Sequence, residues 1–233
     1  MYRQFGNVDY RNGFAELGHD GAAIVQSGRL EALVALERIG TRLRFSRNDE
    51  IYAEGDGADC WYKVVSGTVR VCKLLADGRR HVAEFCFSGD CFGVDGSSER
   101  PYSAEAVDDV VVMRYPRKAT ERTIGENPAL ARHLCDSMLR DLANAHGRTL
   151  LLARMTAPER VATFLLEMFE RCDRSKALDL PMSRNDIADY LGLTIETVCR
   201  VLSLFKREDI IAIPSPHRIE LLDRHALQNV GET

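Results

Sequence analysis

SRNDIADYLGLTIETVCRVLSLFKRE, residues 183–208, is the stretch that decides how the C-terminal third of this chain folds. Ser183 followed three residues later by Asp186 is a helix-start pair, Gly192 interrupts the helical spacing, and Thr194 starts a second helix. Two helices joined by a short turn containing glycine form a helix-turn-helix when small and apolar residues fill the packed positions. Ala188 is the small residue between the helices, and Ile187, Leu191, Val198 and Leu202 supply the core. Downstream, Ile210, Ile211 and Ile213, a turn at Pro214-Ser215-Pro216, and then Ile219, Leu221 and Leu222 have the pattern of a β-hairpin. The segment is expected to be a winged helix-turn-helix.

In such a unit the start of the second helix enters the major groove of DNA while the opposite face packs on the first helix. Ile195, Glu196, Cys199 and Arg200 fall on the outer face, and Val198 and Leu202 on the inner one. Arg200 can donate two hydrogen bonds to guanine O6 and N7, and Glu196 can accept from a cytosine amino group. A good contact of this kind discriminates by about 1–3 kcal/mol. The competing reading makes Glu196 and Arg200, spaced i, i+4, an ordinary surface pair. Ile195 either meets a thymine methyl or packs on the turn. Candidate contacts to the DNA backbone are the helix starts at Ser183 and Thr194, with Thr197, Cys199, Lys206 and Arg207. Cys199 is either a redox switch, because oxidation adds charge and bulk against phosphate, or a small neutral residue that fits the interface.

Working back towards the N-terminus, Thr156-Ala157-Pro158-Glu159 reads as a capping box that opens a new helix and a domain over 155–233. Before it, Leu130, Leu134, Met138, Leu142, Ala145, Thr149 and Leu152 recur every three or four residues, which predicts one long helix over 127–154. Its stripe can be buried on the chain's own β domain or on a symmetry mate; dimerisation assigns Leu130, Leu134, Met138, Leu142, Ala145 and Leu152 to a homodimer interface. Residues 28–126 hold a β-rich domain. Between about 41 and 115, short apolar or alternating runs (LRF, EIYAE, CWYKVV, TVRVCKLL, HVAEFCF, YSAEAV, DVVVMRY) are separated by turn signals at 55–57, 66–67, 77–78 and 88–90. That spacing implies an all-β roll or barrel, with Asp77-Gly78 the clearest hairpin turn. Residues 1–27 are polar and glycine-rich and read as an N-terminal arm.

Bulk properties narrow the class. The 233 residues, 45% of them hydrophobic, leave room for two modest cores. No apolar run is long enough to cross a membrane, so a cytoplasmic protein with no membrane partner is expected. The net charge of −4 gives no electrostatic argument for nucleic acid as a whole-chain property, so DNA binding must rest on local residues. Seven cysteines without CxxC spacing fit reduced thiols, and six scattered histidines show no paired ligand spacing; no metal site or cofactor is assigned.

The E-T-V-C-R run at Glu196–Arg200, together with GDGADCWYKVVSGTVRV, the Asp77-Gly78-Arg79 turn and SGDCFG, resembles the CRP/FNR superfamily of transcription regulators, in that family's order from about residue 28 onwards. The resemblance implies an α+β fold: an N-terminal cyclic-nucleotide-binding-like β-roll, a long dimerisation helix and a C-terminal winged helix-turn-helix. It implies a homodimer on double-stranded palindromic DNA that contacts RNA polymerase, with Glu196 and Arg200 reading the shared G·C positions. An apolar residue at Ile195 resembles the FNR and FixK branch and a TTGA-type half-site. Members that bind cyclic AMP have a Glu just after Phe-Gly and an Arg-Ser pair; here Val94-Asp95 follow Phe92-Gly93, and Tyr102 precedes Ser103. Iron–sulfur members carry an N-terminal cysteine group, whereas the first cysteine here is Cys60. The chain is therefore most similar to the FixK group, which acts without either cofactor, typically as an activator in low-oxygen or nitrogen-fixation regulons. Two other classes stay open: a regulator gated by a small effector in the roll, and a β-roll enzyme, for which no catalytic motif is present.

Overall fold

The computed structural model describes residues 34, 36–171 and 177–231, the side chains at 133, 137, 140, 141, 144 and 150 excepted. The expected arm at 1–27 lies outside the described residues, as does Cys172. Eight strands form the N-terminal roll: β1 (Thr41–Phe45), β2 (Glu50–Tyr52), β3 (Cys60–Ser66), β4 (Val69–Leu74), β5 (Arg80–Cys86), β6 (Cys91–Phe92), β7 (Ser103–Ala106) and β8 (Val110–Pro116). They make two antiparallel four-stranded sheets, ordered β1-β8-β3-β6 and β2-β7-β4-β5. The alternating runs place one face of each sheet inward, so Val64, Val69, Phe92, Ala104, Ala106, Val110 and Val112 fill the space between the sheets. The Asp77-Gly78 turn joins β4 to β5 as expected, with the Asp77 carboxylate accepting from the Arg79 N–H at 3.0 Å. The two-residue strand β6 has no counterpart among the expected runs; Cys91-Phe92 is too short to show alternation, and its pairing with Tyr62 and Lys63 is a tertiary fact.

Helix α1 (Arg117–Glu126) leads into α2 (Pro128–Arg154), capped by Asn127, whose side chain accepts from the Leu130 N–H at 3.1 Å with proline in the first turn. The apolar stripe of α2 is divided among three surroundings. Leu130 is fully buried with Leu36, Trp61 and Tyr115, and Leu134 packs on the same cluster. Leu151 and Leu152 join the C-terminal core, and Ala145 is half-buried. Met138 and Leu142 stand exposed together with Leu139, which the periodic reading passed over. The expectation that Leu130 faces a partner subunit is therefore corrected, since the chain's own core buries it fully; Leu134 and Leu152 pack half-buried on those cores, because a stripe on one helix does not say which surface covers each turn.

The C-terminal unit comprises α3 (Ala157–Arg171), β9 (Ala177–Asp179), α4 (Arg184–Leu191), α5 (Ile195–Arg207), β10 (Ile211–Ser215), β11 (Arg218–Leu221) and α6 (Arg224–Gly231). At the start of α3 the Glu159 carboxylate accepts from the Thr156 N–H at 2.6 Å. Phe164, Leu165, Phe169, Ile187, Leu191, Val198, Leu202, Phe205, Ile211 and Ile219 form the core, which continues into the roll through Cys72, Val82, Phe85 and Val107. The wing is three-stranded, β10-β11-β9, with β9 added by a segment that carried no strand signal. Its turn falls at 216–217, whereas a turn at Pro214-Ser215-Pro216 was expected; Pro214 sits within β10 at a register shift, where its missing N–H is tolerated. No helix among the described residues is long and apolar enough to cross a membrane.

Candidate nucleic-acid interface

Helices α4 and α5 are set against each other by a short turn. Gly192 has φ +63°, a left-handed conformation that a residue with a Cβ rarely adopts, and the Leu193 N–H closes the turn by donating to Ala188 O at 3.0 Å. Thr194 then caps α5, its Oγ1 accepting from the Thr197 N–H at 3.3 Å. Val198, Val201, Leu202 and Phe205 are buried on the inner side of α5. The outer side presents Ile195, Glu196, Cys199, Arg200, Ser203, Lys206 and Arg207, all exposed. Thr197 is half-buried, its hydroxyl 3.1 Å from that of Thr194.

Among the described residues neither Glu196 nor Arg200 takes part in an ion pair, with each other or with a third group. The Glu196 carboxyl is held below the ordinary carboxylate range by its own backbone N–H and by the Thr194 hydroxyl, so it is an ionised acceptor at neutral pH. Leaving a fully exposed carboxylate and a guanidinium unpaired at i, i+4 leaves both free to hydrogen-bond base edges. Ile195 is 39% exposed at the start of α5.

The start of α4 is differently employed. The Ser183 Oγ accepts from the Asp186 N–H at 3.1 Å, the Asp186 carboxylate accepts from the Ser183 N–H at 3.0 Å, and the box is complete. That carboxylate is 4% exposed and also faces Arg70 of β4 at 3.2 Å and Arg80 of β5 at 2.5 Å. Ser183 was expected to offer a capped helix start to phosphate; the cap is present, and a buried carboxylate engaged with the roll sits at that start. The sequence reading missed Arg184, which donates to Pro216 O at 2.8 Å and ties α4 to the wing turn. His217 likewise holds the wing, its Nδ1 3.0 Å from Leu180 O. The six described cysteines form no disulfide, and no group of His, Cys, Asp and Glu among the described residues is arranged to hold a metal ion.

Comparison with known proteins matches residues 159–230 to the family of Crp-like helix-turn-helix domains and residues 42–127 to that of cyclic nucleotide-binding domains. The chain is 41% identical to the nitrogen fixation regulation protein FixK of Azorhizobium caulinodans, over 90% of this chain and 86% of that one. It is 36% identical to the transcriptional activatory protein AadR of Rhodopseudomonas palustris, over 80% of each. Among solved structures, that of FixK2 from Bradyrhizobium japonicum superposes with a TM-score of 0.80 at 40% identity, covering 84% of this chain and 98% of that one.

The residues of the roll do not fit the cyclic nucleotide that its domain type implies. Arg100, 3% exposed, donates to Gly93 O at 2.6 Å, pairs with Asp95 at 2.6 Å, donates to Cys60 O, and lies 4.2 Å above the Tyr52 ring. A Cβ at Gly93 would come within 2.7 Å of Arg100 Nη1, so that glycine, at φ +69°, is required by the close approach. The Ser103 hydroxyl accepts from the Glu54 N–H at 2.9 Å, and Tyr102 stands before it. A phosphate entering here would face the Asp95 carboxylate, with the neighbouring guanidinium already neutralised.

Proposed function

The chain belongs to the CRP/FNR superfamily of DNA-binding transcription regulators, in its FixK-type branch, and from that premise we propose that it activates transcription as a homodimer bound to a TTGA-type palindrome without a bound cofactor. The observation that carries the reading is the placing of Glu196 and Arg200 together on the outer side of α5, exposed, charged and in no ion pair among the described residues. Arg200 reads guanine, Glu196 reads the adjoining cytosine, and Ile195 meets a thymine methyl. Thr194, Thr197, Cys199, Lys206 and Arg207 lie where the phosphates run, Lys206 and Arg207 supplying the positive charge that the chain as a whole lacks.

The exposed Met138, Leu139 and Leu142 of α2 support a twofold contact with a second copy, since contiguous large apolar side chains on one helix face are otherwise costly in water. Two recognition helices would then stand about one DNA turn apart, roughly 34 Å, which requires a symmetric site. The names of the relatives support a role in nitrogen-fixation control and in activating transcription; low-oxygen control and contact with RNA polymerase are proposed by resemblance to the FixK group.

A second reading is favoured by one cavity of about 370 Å³ between the roll and α1–α2, lined largely by apolar groups that include Trp61, Ile124, Leu134 and Met138. A small apolar effector there would gate the protein. Purified, untreated protein titrated with a TTGA palindrome at stated salt separates the two. Tight binding, weakened at least about tenfold by Arg200→Ala and similarly by exchange of the G·C pair, supports the cofactor-free regulator. Binding that begins only when a metabolite is added overturns it in favour of the effector-gated reading.

A further inference from the structure

The recognition helix is carried by α4, and α4 is held at both ends by parts of the chain outside the helix-turn-helix. At its C-terminal end, Arg160 of α3 donates to Leu191 O at 3.0 Å, to Leu152 O at 2.9 Å and to Met155 O at 2.9 Å, tying the last turn of α4 to the last turn of α2. At its N-terminal end, Asp186 faces Arg70 and Arg80 of the roll, Arg80 also pairs with Asp189 at 2.8 Å, and Arg70 is held in turn by Glu105 at 2.6 Å. Between these points Tyr190 packs at 5.2 Å from Phe85 of β5 and 5.8 Å from Phe164 of α3. Two fixed points on one rod, with an aromatic contact between them, define its direction.

We propose that Asp186, Arg70 and Arg80 are positioning residues for DNA recognition: their ion-pair cluster sets the angle between the β-roll and the helix-turn-helix, and so the direction in which Glu196 and Arg200 are presented. This rests on the palindrome reading above. Three observations favour orientation over simple cohesion. The cluster spans 106 and 116 residues of sequence and joins the two units directly. A buried ion cluster is a poor source of net stability, because desolvation offsets the attraction and an apolar contact of the same size would hold as well. What charge and fork geometry add is direction, since guanidinium–carboxylate pairs tolerate little rotation whereas apolar surfaces slide. Furthermore, Asp186 is itself the N3 residue of the α4 capping box, so any swing of the roll pulls on the helix start directly.

The test uses Arg80→Gln in the full-length protein, a change in the roll that leaves the helix-turn-helix sequence intact; Asp189→Asn removes one of the two α4 partners of Arg80 from the other side. Spin labels introduced through noncanonical residues at positions 63 and 203 report the distance between roll and recognition helix in the free protein. Palindromes with half-sites moved by one base pair report the angle on DNA. The expected result is a narrow distance distribution in the wild type that broadens in both variants. Wild-type affinity should fall about tenfold on the shifted sites, the size of an ordinary coupling between sites, and this discrimination should collapse in the variants while single half-sites bind alike. A merely cohesive cluster would lower the melting temperature and leave both the distribution and the spacing discrimination as in the wild type, which overturns the proposal. If wild-type binding ignores half-site spacing, the palindrome reading fails instead and the distance measurement decides alone: an unchanged width in Arg80→Gln overturns the positioning role.

Discussion

The starts of α4 and α5 use the same local chemistry and lead opposite lives. Each has a hydroxyl cap, Ser183 or Thr194, and an acidic residue in its first turn, Asp186 or Glu196. Asp186 is 4% exposed and surrounded by two arginines from the roll, whereas Glu196 is fully exposed and meets no cation. A carboxylate buried between guanidinium groups is an anchor, and one left in water at the end of a capped helix is available to a ligand. The motif is shared, so it is the surroundings that separate a carboxylate engaged inside the chain from one left open to solvent.

Three measurements can break or sharpen that contrast. The largest effect is expected from Asp186→Ala, which removes the N3 partner of the capping box and leaves Arg70 to Glu105 and Arg80 to Asp189; unfolding by denaturant should show a loss of about 1.5–3 kcal/mol. A loss no greater than that of an ordinary surface substitution would contradict the anchor. Thr194→Ala removes only an exposed cap and should cost about 1 kcal/mol by the same measurement, with a proportionally larger effect on operator binding because it frays the first turn of α5.

The smallest effect lies in acid. Burial pushes the Asp186 carboxyl up, but the hydrogen bonds from Ser183 and the charges of Arg70 and Arg80 outweigh it and hold the group below its ordinary 3.8. Asp189 and Glu105, the other acidic groups at the cluster, share those cations. A depressed folded value means stability that is present above 3.8 and lost as pH falls through the folded value. The gap in stability between wild type and Asp186→Asn should therefore be constant near neutrality and narrow below pH 3.8. A gap that widened in acid would reverse the assigned sign.

Much of the helix-turn-helix was legible in the residues. The caps at Ser183 and Thr194, the left-handed Gly192 and the buried set Ile187, Ala188, Leu191, Val198 and Leu202 are consequences of neighbours within four positions, and they form as expected. What was illegible involves partners far along the chain. Leu130 has the same helical spacing as Leu142, yet one fills a pocket beside Trp61 and Tyr115 while the other lies open. Strands β6 and β9 are two and three residues long, and only their pairing identifies them. Arg100 carries no sequence signal of its own, and only the folded roll buries it among Asp95, Gly93 O and Cys60 O.

The order of elements, the two helix starts and the outward face of α5 were determined by the amino-acid sequence, because hydrogen-bond capping and a 3.6-residue period act over a few residues and need nothing else. The engagement of Asp186 with the roll, the split burial of the α2 stripe and the neutralised Arg100 were decided by the tertiary structure alone. The first depends on groups that meet after more than one hundred residues of chain have folded back, and the other two on which side chains exclude water or share a carboxylate at a given spot. Burial and charge pairing at such a distance are properties of the packed whole, and no window of sequence contains them.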